Sequence, residues 1–162
     1  MMKKILLALV IFITACFAIN TPRKDERNFK DIFREEMNYT KFKTYINPDM
    51  GCGFQYPSFF SQESCDDGTC CVRFGYHANY INMVLELKII YVRSSPDVYK
   101  ESISSGDLKS YTGYCYHSHY ITNKHYCYVL TFYYPQDYKQ AVIRIIRNLN
   151  EWKPFKYCKK IF

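Results

Sequence analysis

A chain of 162 residues with 22 Lys and Arg against 15 Asp and Glu carries a formal charge of +7. That length suits one domain with its own core. The positive charges are scattered singly apart from Lys153, Lys156, Lys159 and Lys160, which read as a solvated tail and not as the basic stripe of a nucleic-acid binder.

The first residues are the most informative. Met1-Met2-Lys3-Lys4 is a short positive start, and Ile5 to Ile13 is an unbroken apolar run. Such a run is far too short to span a bilayer and has the layout of a secretory signal. No later stretch reaches spanning length. Ile13-Thr14-Ala15-Cys16 resembles a bacterial lipobox, which implies cleavage before Cys16 and a diacylglyceryl thioether on its sulfur. The alternative is ordinary cleavage after Ala18 and a soluble secreted or periplasmic product. Either cut removes Lys3 and Lys4 and brings the charge from +7 to about +5. Two or three acyl chains give stable anchoring where one does not.

Residues 1–15 are therefore expected as a signal peptide, 16–42 as a tether with a short helix, 43–154 as the domain and 155–162 as a basic tail. In the tether, Phe29, Ile32, Phe33 and Met37 recur at helical spacing among charged residues. Asn38-Tyr39-Thr40 fits a glycosylation triplet, which has no meaning in a bacterial lipoprotein. Residues 43–57 read as a first strand, with Asn47-Pro48-Asp49 as a turn signal and Pro57 as its end. Residues 64–69 read as a hairpin loop around Asp67-Gly68, followed by a strand from Cys70 to Tyr76. Tyr80 to Val92 is the clearest strand, because Met83, Leu85, Leu87, Ile89 and Tyr91 alternate with Val84, Glu86, Lys88, Ile90 and Val92. Ser95-Pro96-Asp97 has the chemistry of a helix start and predicts a short helix ending near Gly106. Residues 108–120 and 125–134 predict two tyrosine-rich strands. After Pro135, the spacing of Tyr138, Val142, Ile145, Leu149 and Trp152 predicts a long helix that Pro154 ends. The 17 tyrosines suit half-buried strands, where the ring packs and the hydroxyl reaches water.

The phrases at the joints of this order resemble those of the PsbP and Mog family. Gly53-Phe54-Gln55-Tyr56-Pro57 is similar to its opening strand, Ser110-Tyr111-Thr112-Gly113-Tyr114 to a "VSGY" strand, and Thr131-Phe132-Tyr133-Tyr134-Pro135 with Tyr138, Val142 and Ile146 to its closing strand and helix. The resemblance covers residues 45 to 152. It implies an α+β fold, an antiparallel β-sheet sandwiched by helices, with accessory or binding roles and no shared catalytic residues. The cysteines depart from the family pattern.

Seven cysteines follow Cys16: Cys52, Cys65, Cys70, Cys71, Cys115, Cys127 and Cys158. Export makes disulfides the default, and an odd number leaves one thiol over. Cys65 and Cys70 flank a turn, while Cys52 and Cys71 lie on the strands that this turn would pair. Cys115-Tyr-His117-Ser-His119-Tyr-Ile121-Thr-Asn-Lys-His125-Tyr-Cys127 is near-palindromic about Ile121. A hairpin folded there sets Cys115 against Cys127 and His117 against His125. Thiolate and imidazole suit zinc or copper. The competing readings are a Cys115–Cys127 disulfide beside exposed histidines, and a different register altogether. Asp66-Asp67-Gly68 lacks the later ligands of a calcium loop and reads as a turn.

No phosphate-cradling glycine loop, G-x-S-x-G, H-E-x-x-H or C-x-x-C is present. The sequence thus predicts a lipid-anchored, exported, non-enzymatic binding or accessory protein of the cell envelope, with no cofactor, a protein partner and no nucleic acid. The alternative is a metal-binding or thiol-redox protein using Cys115, His117, His119, His125 and Cys127.

Overall fold

The structure, a computed structural model, describes residues 28–65, 70–78, 81–93 and 99–157. The signal, Cys16, the Asp67-Gly68 loop, the Ser95-Pro96-Asp97 helix start, Cys158 and the last lysines lie outside the described residues, as does the side chain of Cys70. Helix α1 (Phe29–Tyr39) begins where Asn28 accepts a hydrogen bond from the Asp31 amide at 3.0 Å. Phe33 and Met37 sink into the core, so the helix belongs to the domain and not to the tether.

Strands β1 (Phe42–Asn47) and β2 (Cys52–Pro57) form a separate antiparallel ribbon where one strand was expected. Their turn uses Gly51 at φ 60°, and the Asn47 side chain accepts from the Met50 amide at 3.1 Å. The main sheet has β3 (Ser61–Glu63), β4 (Cys70–Ala78), β5 (Ile81–Tyr91), β6 (Lys100–Asp107), β7 (Tyr114–Asn123) and β8 (Tyr126–Pro135), in the order β3-β4-β5-β8-β7-β6. All its pairings are antiparallel. It consists of two three-stranded meanders joined at the centre by β5 and β8.

Three further expected elements differ. Residues 100–107 form edge strand β6, not the tail of a helix. Leu108 to Gly113 are a turn, so the strand expected over 108–120 starts only at Tyr114. The long helix after Pro135 is a 3₁₀ turn (Gln136–Tyr138), a further turn and then α2 (Ile143–Asn150). No side chain caps α2, and β-branched Val142, Ile143, Ile145 and Ile146 crowd its start. The predicted stripe is still buried: Val142, Ile145, Leu149 and Trp152 are each at most 3% exposed.

Register fixes which residues share a face, since directly opposed residues project to the same side. One rung on the core face runs Phe74, Leu85, Phe132, His117, Ser105. α1 reaches this face through Phe33, 5.8 Å from Tyr76, and α2 through Leu149 and Asn150. The ribbon lies there too, with Phe54 5.8 Å from Phe74. Both described helices are therefore on one side, and among the described residues no helix covers the opposite face of the expected sandwich. The opposite face carries the rung Arg73, Glu86, Thr131, Ser118, Ser104. There Glu86 is clasped by Arg73 at 3.0 Å and Lys88 at 2.8 Å, and Ser118 and Thr131 share a 2.9 Å hydrogen bond.

Candidate functional site

The β7–β8 turn decides the fate of the histidine-cysteine segment. It falls on Lys124-His125, not Ile121, because Asn123 opposes Tyr126. Lys124 takes φ 55°, in the left-handed region that two-residue hairpins need. Ile121 is instead fully buried opposite Tyr128. Burial of this residue favours the longer hairpin over the palindromic one.

In that register Cys115 opposes Tyr134 and Cys127 opposes Thr122. They are seven residues apart along β8, about 23 Å at the usual rise, and they point to opposite faces. Both are thiols, so the expected Cys115–Cys127 disulfide is not formed. His125 sits in the turn with its ring 6.0 Å from Tyr91, at the far end from His117. Among the described residues no three His, Cys, Asp or Glu side chains gather at a metal-binding distance.

The other cysteines also separate. Cys65 is disulfide-bonded, and its partner is not among the described side chains. Cys52 is a fully buried thiol on β2, and Cys71 an exposed thiol at the β4 bulge. β2 pairs with β1 and not with β4, so Cys52 and Cys71 are not strand partners. They instead lie near Tyr45, whose hydroxyl pKa is raised first by burial and then by both cysteines.

What the fold does gather is Cys115, His117 and His119 on the core face of β7, beneath α2. Asp107 of β6 stands opposite Cys115, and the thiol donates to its carboxylate at 3.5 Å. His117 Nε2 donates to Asn150 Oδ1 at 2.6 Å. Asp107, Cys115 and His117 line a cleft of about 390 Å³ together with Tyr134, Lys139 and, from α2, Ile143 and Ile146. Burial, and then Asp107, push the Cys115 thiol pKa up. A protonated thiol is a poor nucleophile and metal ligand.

His119 continues the row and is closed to solvent. Its Nδ1 lies 2.6 Å from the Leu149 carbonyl and its Nε2 2.9 Å from the Glu101 carboxylate. Glu101 also accepts from Lys153 at 3.1 Å and Tyr99 at 2.9 Å. Lys153, and then Tyr99, hold the Glu101 carboxyl below its ordinary range, and Glu101 raises Lys153 in turn. The edge of the His119 ring meets Trp152, whose indole N–H donates to the Gly53 carbonyl at 2.8 Å. Gly53 has to be glycine, since a Cβ there would lie 2.5 Å from the Tyr45 carbonyl.

Sequence reasoning placed Cys115, His117 and His119 on one face correctly but missed Asp107, Lys139, Asn150, Glu101 and Lys153. The only signal for Asn150 and Lys153 was their place at the end of the predicted helix. No family model matches the chain, and no curated protein matches it.

Proposed function

We propose that this is an exported, lipid-anchored, non-enzymatic binding or accessory protein of the cell envelope, built on a PsbP/Mog-like domain. Its contact site is the cleft beneath α2. The observation that carries the reading is the state of Cys115. Its thiol is bonded to Asp107 and pushed toward the protonated form, while His117 is already bonded to Asn150. Groups held this way are preorganised to meet the polar side chain of a protein partner, with Asp107 and Lys139 offering both signs. They are poorly arranged for nucleophilic attack, which needs a thiolate and a base aimed at it. The kinship is supported by the antiparallel sheet and by the closing phrase Thr131 to Pro135, which leads through a turn into α2.

The test is alkylation. In the folded protein at neutral pH, Cys115 should resist iodoacetamide and react only on unfolding, as peptide mapping would report. Rapid native modification would move the reading to thiol chemistry. For the anchor, Cys16→Ser should shift the protein from the membrane fraction to the soluble one. Retention of that variant on membranes at high salt would remove the lipoprotein reading.

A further inference from the structure

A second cavity lies in the other half of the molecule, between α1 and the β3–β4 pair. It encloses about 220 Å³, lined by Phe33, Glu36, Met37, Thr40, Phe59 and Tyr76. That volume is below the usual range for drug-sized ligands, about 300–1,000 Å³. An occupant has to be the size of a single small head group.

The lining has two chemical parts. Phe59 stands at 88° to Phe33 and at 81° to Tyr76, with centroids 6.0 and 4.9 Å apart. These rings make a corner, not a stack. Glu36 occupies the same face of α1 as Phe33 and Thr40, whose hydroxyl donates to the Glu36 carbonyl at 3.0 Å. The Glu36 carboxylate has no ion pair among the described residues. Neighbouring Asp31 is paired with Arg34 on the same helix. Arg144 is engaged elsewhere, donating to the Met37 carbonyl and lying over the Phe42 ring. The Tyr76 hydroxyl pKa is raised by burial and then by Glu36, which puts the carboxylate within electrostatic reach of the ring.

Aromatic faces attract a cation through their quadrupole, and an adjoining carboxylate supplies the countercharge. A neutral apolar molecule would use the rings and leave Glu36 idle. We infer that this cavity binds a small free organic cation of the methylated-ammonium class, seated in the Phe33–Phe59–Tyr76 corner and neutralised by Glu36. The site is separate from the cleft beneath α2, so either can fail alone.

Choline and its neutral isostere 3,3-dimethyl-1-butanol provide the test on the purified full chain. Calorimetric titration should show saturable choline binding and at least about tenfold weaker binding of the isostere. Glu36→Gln should weaken choline by about tenfold or more and leave the melting temperature unchanged, because Glu36 is exposed. Phe59→Leu should weaken choline while retaining a cooperative melt. Equal binding of choline and the isostere, an unaffected Glu36→Gln variant, or no saturable binding of choline or tetramethylammonium would overturn the inference.

Discussion

The two meanders of the main sheet share one core face but cover it with different chemistry. On the β3–β4–β5 side the contacts are between rings. Tyr56 stacks on Phe74 at 4.0 Å, Phe54 meets Phe74 edge-on, and Phe59, Phe60, Tyr76 and Phe33 continue the cluster. On the β6–β7 side the same rungs end in His117 and Ser105, and α2 is attached by hydrogen bonds from His117 and His119. Apolar burial is non-directional and scales with area, so it tolerates rearrangement. Hydrogen bonds from buried imidazoles demand one geometry and penalise its loss. The aromatic half is therefore expected to provide most of the stability, and the polar half the position of α2 and its cleft.

The largest effect should come from Phe74→Ala. It removes a ring that contacts Tyr45, Phe54 and Tyr56 and should cost about 3–5 kcal/mol, read from denaturant unfolding. A cost near that of a surface change would end the division of labour proposed for the two halves. His119→Leu ranks next. It leaves the Leu149 carbonyl without its buried donor and should cost about 1–3 kcal/mol. The same variant should loosen the end of α2, seen as faster amide exchange around Leu149 to Trp152, with little change in β4.

The smallest effect is a difference in sign. On β4, Asn82 and then Glu63 raise the His77 imidazole pKa. Its contribution to stability is complete below the ordinary value, about 6.5, and lost as pH rises through the higher folded value. On β6, the Glu101 carboxyl is held low by Lys153 and then Tyr99. Its contribution is present above the ordinary value, about 4.3, and lost as pH falls through the lower folded one. Both groups are exposed enough for solvent to screen much of the gain. His77→Gln should flatten the neutral-to-alkaline side of a melting-temperature profile, and Glu101→Gln the acidic side. A variant that flattens the opposite limb would contradict the assignment.

How far the sequence could be read follows from the same contrast. Strand β5 was legible because Met83, Leu85 and Leu87 line one buried face while Val84 and Lys88 are only partly covered. α1 and the Val142–Trp152 stripe were legible because a helix with one buried face repeats every three to four residues. β6 was not, since Lys100–Asp107 is exposed along nearly its whole length and so carries no alternation. The helix expected to run on to Gly106 therefore gives way to a strand over Lys100–Asp107, while its Ser95-Pro96-Asp97 start lies outside the described residues. The hairpin failed for a different reason. Its turn lacks glycine, and the palindrome around Ile121 offered a local answer that only the burial of Ile121 opposite Tyr128 overrules. The cleft was half legible: Cys115 and His117 follow from strand geometry, whereas Asn150 lies 33 residues from His117 along the chain. Pairings at that separation depend on how α2 packs.

Trp152 is the only tryptophan in the chain. It stands where the ribbon, β7 and the end of α2 meet, 3% exposed, with its indole N–H on Gly53 and its ring against His119. Excited at the red edge, where its 17 tyrosines do not absorb, the protein's fluorescence is therefore a one-point optical readout of a three-way junction. Its emission should be blue-shifted while the ribbon is docked and move to the red when the ribbon lifts away, even with the six-stranded sheet intact.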